Sequence, residues 1–232
     1  MVYKWLNNSL SFLYPPFCQL CGDTTVSDTG LCDHCLADLP TVTHTCQRCA
    51  LPLEGQRIHA GICGSCLTDP PPFHRSISPF HYKPPVTRLI AQLKYQRQLN
   101  LVPLLSRALA SLIDLQHHPV DALLPVPLHN RKLRQRGFNQ ALELARPLAR
   151  QFGIPVLSHV ERHRATPSQL ALHASERRNN VRGAFRLRHS VDYRRIAIID
   201  DVMTTGSTAG EIARLLVEDG VEHIQVWCIA RA

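Results

Sequence analysis

The sequence predicts an α/β protein in which a parallel sheet is flanked by helices and preceded by a small cysteine-rich module. The first observation is an apolar, mostly β-branched run at residues 196–199, which ends at Asp200 and Asp201 and leads through a loop of small residues into a helix. A wholly apolar strand followed by a helix is typical of a parallel sheet covered on both faces. The second observation is that eight of the nine cysteines lie in four Cys-x-x-Cys pairs within the first 66 residues.

The segment Asp69–Phe73 contains three consecutive prolines and predicts the boundary between the two parts. Prolines remove backbone donors and stiffen the chain as an extended spacer. We therefore expect an N-terminal module at residues 1–70 and an α/β domain at residues 71–232. A chain of 232 residues, 44% of them apolar, is long enough for one such domain beside a small module.

The positive charge of the chain is concentrated in its middle. Residues 71–188 carry nineteen Lys and Arg against five Asp and Glu, a net +14, whereas residues 1–70 and 189–232 are each net −3. A basic middle between acidic ends predicts a surface that binds a polyanion. The alternative is that these arginines serve one small anionic ligand or form a solvated face.

The chain is expected to be cytoplasmic. No apolar run approaches the roughly 20 residues that a membrane-spanning helix needs. The first fourteen residues have neither a long apolar segment nor a cleavage site of small residues, so a signal peptide is not expected. We expect these fourteen residues to form a short amphipathic helix that packs on the protein.

Cys-x-x-Cys pairs in a cytoplasmic chain indicate metal binding, whereas disulfides, the alternative, belong to oxidising compartments. Two pairs supply the four thiolates of a tetrahedral Zn²⁺ site, so eight thiolates suit two structural zinc ions that hold together a module with little core. The short spacers favour sequential pairing, although a crossed arrangement is geometrically possible. Sequential pairing puts Cys18, Cys21, Cys32 and Cys35 on one ion and Cys46, Cys49, Cys63 and Cys66 on the other.

The α/β domain is expected to contain further strands and helices in alternation. The other predicted strands lie at residues 77–82, 121–127, 155–160 and 222–229. The predicted helices lie at residues 84–95, 101–115, 139–152 and 209–218, and glycines at 153 and 220 stop the last two. Residues 161–188 show no periodicity, and a loop of this length in a compact domain is usually a functional lid.

Two single residues of these elements have two interpretations each. Cys228 falls in the last predicted strand and is expected to be a buried core residue rather than a reactive one. Lys94 lies in the first predicted helix of the domain, where it either faces an anionic ligand or, as is more common for a lone helical lysine, is solvated.

The loop after residue 200 has the chemistry of a phosphate site. Ligands of open α/β sheets bind at the carboxyl ends of strands, and a helix N-terminus with free N–H groups holds phosphate well. Gly206 lets the backbone approach closely, and hydroxyl donors are added by Thr204, Thr205, Ser207 and Thr208. The carboxylates of Asp200 and Asp201 must face something else, for which ribose hydroxyls and hydrated Mg²⁺ are the natural candidates. The alternative is that acids and hydroxyls simply cap the helix.

The run from Asp200 to Thr208, Asp-Asp-Val-Met-Thr-Thr-Gly-Ser-Thr, resembles the phosphoribosyl pyrophosphate (PRPP) signature of type I phosphoribosyltransferases. The resemblance implies that the acid pair contacts the ribose hydroxyls and that Thr204, Thr205, Gly206, Ser207 and Thr208 wrap the 5′-phosphate. It also makes the predicted fold a type I phosphoribosyltransferase-like parallel sheet, preceded by a small N-terminal zinc-ribbon module with four cysteines to each ion.

The resemblance extends over nearly the whole chain. The cysteine pairs are followed by Pro-Val-Pro-Leu-x₃-Lys-x-Arg-x-Arg-Gly-Phe-Asn-Gln at residues 125–140, by Arg-x-Thr-x₂-Gln at residues 164–169, and by the PRPP motif. This order is similar to the ComF (GntX-like) family of competence proteins. The resemblance implies a cytoplasmic role in natural transformation, in which incoming single-stranded DNA is handled together with a helicase-type partner.

The turn at the end of the strand predicted at residues 121–127 departs from that of ordinary phosphoribosyltransferases, which usually bind pyrophosphate there with backbone donors. Pro125 and Pro127 occupy this turn and supply no N–H groups. Arginines can substitute, so the candidate pyrophosphate or DNA contacts are Arg131, Lys132, Arg134, Arg136, Arg164, Arg177 and Arg178.

No catalytic residue is predicted, and two hypotheses remain. The first is a PRPP-binding protein that handles single-stranded DNA, with or without phosphoribosyl transfer. The second is an active phosphoribosyltransferase on a nucleobase-like acceptor in nucleotide salvage.

Overall fold

The computed structural model describes residues 17–25, 30–53, 61–164 and 181–232. The helix predicted in the first fourteen residues and the middle of the predicted loop, including Arg177 and Arg178, lie outside these ranges. No helix in the described part of the chain is both long enough and apolar enough to cross a membrane.

The described residues form seven strands and seven α-helices. The strands are β1 (Arg75–Ile77), β2 (Phe80–His81), β3 (Ala122–Pro125), β4 (Val160–Arg162), β5 (Phe185–Leu187), β6 (Arg195–Met203) and β7 (His223–Arg231). The helices are α1 (Asp33–Ala37), α2 (Gly64–Thr68), α3 (Val86–Gln96), α4 (Val102–Ala110), α5 (Asn130–Arg136), α6 (Gln140–Phe152) and α7 (Ser207–Glu218). A 3₁₀ turn, Leu99–Leu101, joins α3 to α4.

The centre of the fold is a wholly parallel sheet in the order β1-β7-β6-β3, in which β2 continues along the same edge of β7 as β1. Successive residues of β6 point to opposite faces. Ala197 and Ile199 join an apolar cluster with α3, α4 and α6, whereas Ile196 and Ile198 join a second cluster with α7. The prediction of a parallel sheet flanked by helices is therefore confirmed, and Cys228 is buried in β7 as expected.

Two elements of the first half of the domain differ from their predicted bounds. The strand predicted at residues 77–82 is split into β1 and β2, and Ser78 Oγ between them donates to the carbonyl of Phe80 at 3.1 Å. The helix predicted at residues 101–115 ends at Ala110. Beyond it, Asp114 Oδ1 accepts the N–H groups of Gln116 and His117, and this local turn competes with helix continuation.

The strand predicted at residues 155–160 is also misplaced. Val156 makes only a single parallel bridge to Leu123 at the free edge of β3. The paired strand, β4, begins at Val160 and pairs antiparallel with β5 in a separate two-stranded sheet. The predicted loop at residues 161–188 therefore begins and ends within strands, which are joined by ion pairs from Glu161 to Arg186 and Arg188. Three-residue strands of mixed polarity carry too little periodicity to be found by pattern.

Helix α5 was not predicted at all. It begins after His129, whose Nδ1 accepts the N–H of Arg131 at 3.2 Å, and ends at Gly137, which has a φ of 86°. Histidine is not among the residues preferred as N-caps, so the sequence carries no ordinary start signal there. Helix α6 follows with an ordinary N-cap, since Asn139 Oδ1 accepts the N–H of Ala141 at 3.0 Å.

The eight paired cysteines form two clusters with sequential pairing. Within each cluster the four sulfur atoms lie within 4.8 Å of one another: Cys18, Cys21, Cys32 and Cys35 in one, and Cys46, Cys49, Cys63 and Cys66 in the other. A tetrahedron of thiolates around Zn²⁺ has sulfur–sulfur distances of about 3.8 Å. The distances between Cys21 and Cys32 and between Cys49 and Cys63 are both 3.7 Å. Both four-cysteine sites therefore fit structural zinc, and the sequential interpretation is correct.

The cysteine-rich module covers the outer edge of the sheet. Thr41 forms an antiparallel bridge with Phe80, and the N–H of His81 donates to the carbonyl of Pro40 at 2.8 Å. Leu31 and Leu39 join the same apolar cluster as α3 and α4. Residues on the two sides of the proline segment therefore share one core, and an otherwise open sheet edge is protected. The domain boundary at residue 70 itself remains a prediction.

We expect protein purified without chelator to contain two zinc ions per chain, and Cys32→Ser to contain one. The variant should also unfold at a lower temperature, because loss of the first cluster loosens Leu31 and Leu39 from the shared core. Metal analysis and thermal unfolding measure both effects. Cys228→Ser is the matched control, since Cys228 belongs to neither cluster and its variant should keep both ions. A stable fold without metal would contradict the structural role of zinc.

Candidate functional site

A cleft of about 270 Å³ opens at the carboxyl ends of β3 and β6. Its floor is the acid pair of β6 together with the loop into α7, and its walls come from α3, α5, α6 and β4. All seven residues predicted to bind PRPP line this cleft: Asp200, Asp201, Thr204, Thr205, Gly206, Ser207 and Thr208. The sequence motif thus lies where parallel strands place ligand sites.

The loop between β6 and α7 has the shape of an anion site. Gly206 has a φ of 74°, and a Cβ atom there would lie 3.6 Å from the ring of Phe73. That distance is an ordinary van der Waals contact, so it is the left-handed backbone conformation that favours glycine here. Thr205 and Ser207 bring their hydroxyl oxygens to 2.6 Å from each other beside the N-terminus of α7. The first N–H groups of this twelve-residue helix have no partner within it, and together with the hydroxyls they supply donors for phosphate.

The two acids of β6 have different surroundings. Asp201 is only 3% exposed, and its Oδ2 forms an ion pair with Lys94 Nζ. Its Oδ1 lies 3.5 Å from Gln140 Nε2. Asp200 is partly exposed in the cleft, and its Oδ1 accepts the N–H of Asp201 at 2.9 Å. Of the two carboxylates, Asp200 is therefore the one more open to a ligand.

The pKa values of this group follow from burial and from the ion pair. Desolvation raises the pKa of Asp200 well above its ordinary value, and the negative charge of Asp201 adds to the effect. Burial alone would raise the pKa of Asp201, but the charge of Lys94 and its hydrogen bond outweigh burial, so this pKa is lowered. Burial likewise opposes the charged form of Lys94, yet Asp201 raises its pKa overall. The group therefore holds a fixed Lys94–Asp201 pair beside an easily protonated Asp200.

Lys94 was expected either to face the ligand site or to be solvated, and the second, commoner interpretation is wrong. Its side chain is 19% exposed, lines the cleft and is bound to Asp201. A signal was available in the sequence: Lys94 lies four residues after the buried Ile90, on the face of α3 that packs inward.

Helix α5 divides its four cations between two surfaces. Lys132 and Arg136, one turn apart, are partly buried and line the cleft. Arg131 and Arg134 are exposed and do not line it. Burial lowers the pKa of Lys132, and the charges of Arg162 and Arg136 lower it further. The cleft therefore concentrates positive charge opposite the anion loop.

The other predicted cations do not line the cleft or lie outside the described residues. Arg164 is exposed, does not line the cleft, and donates to the carbonyl of Arg182 at 2.6 Å. Arg177 and Arg178 lie outside the described residues. Arg162, which lies in the loop predicted at residues 161–188 and was not among the predicted contacts, lines the cleft, and its guanidinium lies 5.4 Å from the ring centroid of Phe185.

Arg231 was missed by sequence reasoning and ties the zinc module to the anion loop. Its Nε donates to the carbonyl of the zinc ligand Cys49 at 2.8 Å. Its Nη1 donates to the carbonyl of Met203 at 3.1 Å and also to that of Thr204. The available signal was a charge at the end of a strand that is otherwise apolar. Arg231 is buried, so its donors require these acceptors.

Lys94 and Lys132 offer a matched test of the electrostatics in the cleft. We expect Lys94→Met to lower the free energy of unfolding by roughly 3 kcal/mol at neutral pH, because it leaves Asp201 buried without its partner. We expect Lys132→Met to leave that free energy unchanged or to raise it, since Lys132 faces only cations among the charges that shift its pKa. Denaturant unfolding measures both. Equal losses of unfolding free energy in the two variants would contradict the assignment of Lys94 as the partner that compensates buried Asp201.

The Lys94 effect should also depend on pH. Because the folded-state pKa of Asp201 is lowered, the ion pair stabilises the protein above the ordinary carboxyl pKa, and this contribution is lost as pH falls through the lowered value. The difference between wild type and Lys94→Met should therefore shrink in acid. A difference that grows as pH falls would contradict the direction of the shift.

Comparison with known families agrees with both parts of the structure. A family described as double zinc ribbon domain matches residues 9–67. A family described as phosphoribosyl transferase domain matches residues 139–232, which include α6, the acid pair and the anion loop. The first match contains all eight cysteines of the two clusters.

Relatives align along most of the chain. DNA utilization protein YhgH of Escherichia coli O157:H7 is 38% identical over 226 residues, covering 94% of this chain and 97% of the relative. Competence protein F of Haemophilus influenzae is 37% identical over 224 residues, covering 91% and 94%. Competence protein ComFC of Bacillus subtilis is 25% identical over 205 residues, covering 83% and 80%. The chain therefore belongs to the ComF family of competence proteins and joins a double zinc ribbon to a phosphoribosyltransferase domain.

Proposed function

We propose that this protein binds PRPP with Mg²⁺ in the cleft and acts in the cytoplasm on single-stranded DNA that enters during natural transformation. The observation that carries the first part is the convergence of an anion loop, an acid pair and four cations, one of them the paired Lys94, on one cleft. The names of the relatives, which refer to DNA utilization and competence, support the second part. A helicase-type partner belongs to the same proposal.

The donors of the cleft suit the parts of PRPP. The 5′-phosphate would take the hydroxyls of Thr205 and Ser207 and the N-terminus of α7. The ribose hydroxyls would face the acid pair, of which Asp200 is the more open member. The pyrophosphate would lie among Lys132, Arg136 and Arg162. Bound PRPP thus spans the cleft from loop to cations.

Magnesium fits this arrangement through one protein carboxylate. Asp201 Oδ2 is held by Lys94, so Asp200 would be the protein ligand, with the pyrophosphate of PRPP and water completing the coordination. When bound, Mg²⁺ neutralises charge on the pyrophosphate. The desolvated Asp200 has a reason to prefer a bound cation, because its charged form is otherwise disfavoured.

The alternative function is phosphoribosyl transfer to a nucleobase-like acceptor in nucleotide salvage. A nitrogen of the acceptor would bond to the anomeric carbon of the ribose as the bond from that carbon to pyrophosphate breaks. The match to the phosphoribosyl transferase domain favours this alternative. The turn after β3 argues against it: Pro125 and Pro127 have no N–H, and the N–H of Val126 already donates to the carbonyl of Ile199 at 2.9 Å. A leaving pyrophosphate would find few backbone donors there.

We expect PRPP to bind in the presence of Mg²⁺, and Asp200→Asn and Thr205→Val each to weaken binding about tenfold or more. Each removes one charged or phosphate-directed hydrogen bond, worth roughly 1.5–3 kcal/mol. Calorimetric titration measures the affinity. Asp38→Asn, the same charge change on an exposed residue of the zinc module, should leave it unaltered. Unchanged affinity in both cleft variants would remove the motif from PRPP binding. Pyrophosphate release in the presence of common nucleobases would establish the alternative function.

The two pairs of cations on α5 test the DNA part of the proposal. We expect Arg131→Gln/Arg134→Gln to flatten the log-log salt dependence of single-stranded DNA binding by about 1.4, roughly 0.7 for each phosphate contact. PRPP affinity should persist in that variant, because neither residue lines the cleft. Lys132→Gln/Arg136→Gln should instead weaken the binding of PRPP. If Arg131→Gln/Arg134→Gln keeps the wild-type salt slope, the exposed face of this helix does not contact DNA.

A further inference from the structure

Three aromatic side chains lie beside the basic stretches: Tyr95, Phe138 and Phe185. Phe185 is 3% exposed, and Phe138 is partly buried against the larger apolar cluster. Tyr95 is 66% exposed and lines the mouth of the cleft. Among these three, Tyr95 therefore offers an accessible ring face.

Tyr95 is joined to the site by a chain of contacts. The guanidinium carbon of Arg136 lies 5.5 Å from the centroid of the Tyr95 ring, within range of a cation–π interaction. Arg136 also donates to Gln140 Oε1, and Gln140 Nε2 lies 3.5 Å from Asp201 Oδ1. Tyr95 also follows Lys94, the partner of Asp201, directly in sequence at the end of α3.

A second cation lies near Arg136. The guanidinium of the exposed Arg97 lies against Gly137, the residue after Arg136, where a Cβ atom would be 3.4 Å from Arg97 Nη2. Tyr95 is thus an exposed ring with the guanidinium of Arg136 over it and the cleft beside it. An exposed phenol ring gains little from water, whereas a flat heteroaromatic ring can cover it and leave its phosphate to the arginines.

We propose that Tyr95, backed by Arg136, is a stacking platform for a nucleobase at the mouth of the cleft. The proposal rests on the proposed function to the extent that the base belongs to single-stranded DNA, but a free nucleotide has the same chemistry. Because every base has a π face, the platform should be tolerant of sequence. It adds a base contact to a surface whose other contacts are to phosphate.

The test compares ligands that differ only in their bases. Binding of labelled oligothymidylate and of an abasic oligomer of the same length is measured by fluorescence anisotropy for wild type, Tyr95→Leu and Tyr95→Phe. We expect Tyr95→Leu to lose about tenfold in affinity for oligothymidylate, the typical effect of losing one stacked base. Affinity for the abasic oligomer should not change, and Tyr95→Phe should retain wild-type binding to both.

Tyr193→Leu is the matched control, because Tyr193 packs against the other apolar cluster and does not line the cleft. Equal losses for both oligomers in Tyr95→Leu, or no loss for either, would overturn the platform while leaving DNA binding in place. If wild type binds neither oligomer, the DNA part of the proposed function fails. The platform is then tested by measuring the affinities of wild type and Tyr95→Leu for thymidine monophosphate and for ribose 5-phosphate. If Tyr95→Leu weakens the binding of thymidine monophosphate but not that of ribose 5-phosphate, the platform is supported, with a free nucleotide as the source of the base. If the substitution changes the two affinities equally, or changes neither, the platform is overturned.

Discussion

The hydrogen bonds of the Arg231 guanidinium join the zinc module of this protein to its anion loop. A buried arginine must find acceptors for its donors, and here they are backbone oxygens from separate segments. Cys49 contributes from the second zinc site, and Met203 and Thr204 contribute from the start of the anion loop. The position of the loop therefore depends on a correctly folded zinc ribbon. This explains how a module whose described residues do not line the cleft can still influence the site.

Charge compensation governs the cleft in a similar way. Lys94 satisfies Asp201, and desolvation disfavours the negative charge of Asp200, so the acid pair contributes less negative charge than its two carboxylates suggest. Lys132 and Arg136 then face a site whose net character is cationic. A ligand with several phosphate groups gains most from such a site, whereas a neutral sugar gains little. This imbalance is the electrostatic basis for the proposed binding of a phosphorylated ligand.

The features predicted from sequence are those whose cause is local. The apolar run of β6, the glycine-containing loop and the start of α7 are consecutive in the chain, and the zinc pairs are set by spacing. Helix α5 was not predicted because its N-cap is a histidine, which is not an ordinary start signal. The β4–β5 pair could not be predicted because the cross-strand ion pairs of Glu161 appear only once distant residues meet. The same holds for Lys94, whose role is defined by Asp201 in a strand far along the chain.

Net charge alone could not assign the cations, because one short helix carries cations on two faces, one lining the cleft and one exposed. Its length of seven residues, fixed by His129 at one end and Gly137 at the other, places Lys132 and Arg136 on the cleft side and Arg131 and Arg134 outside. A phosphate held in the cleft and a strand crossing the outer face would therefore contact the same rigid element without competing for a side chain. Arg136 is the exception, since it lines the cleft and also covers Tyr95. A ligand in the cleft and a ring stacked on Tyr95 would therefore both depend on the position of this one guanidinium.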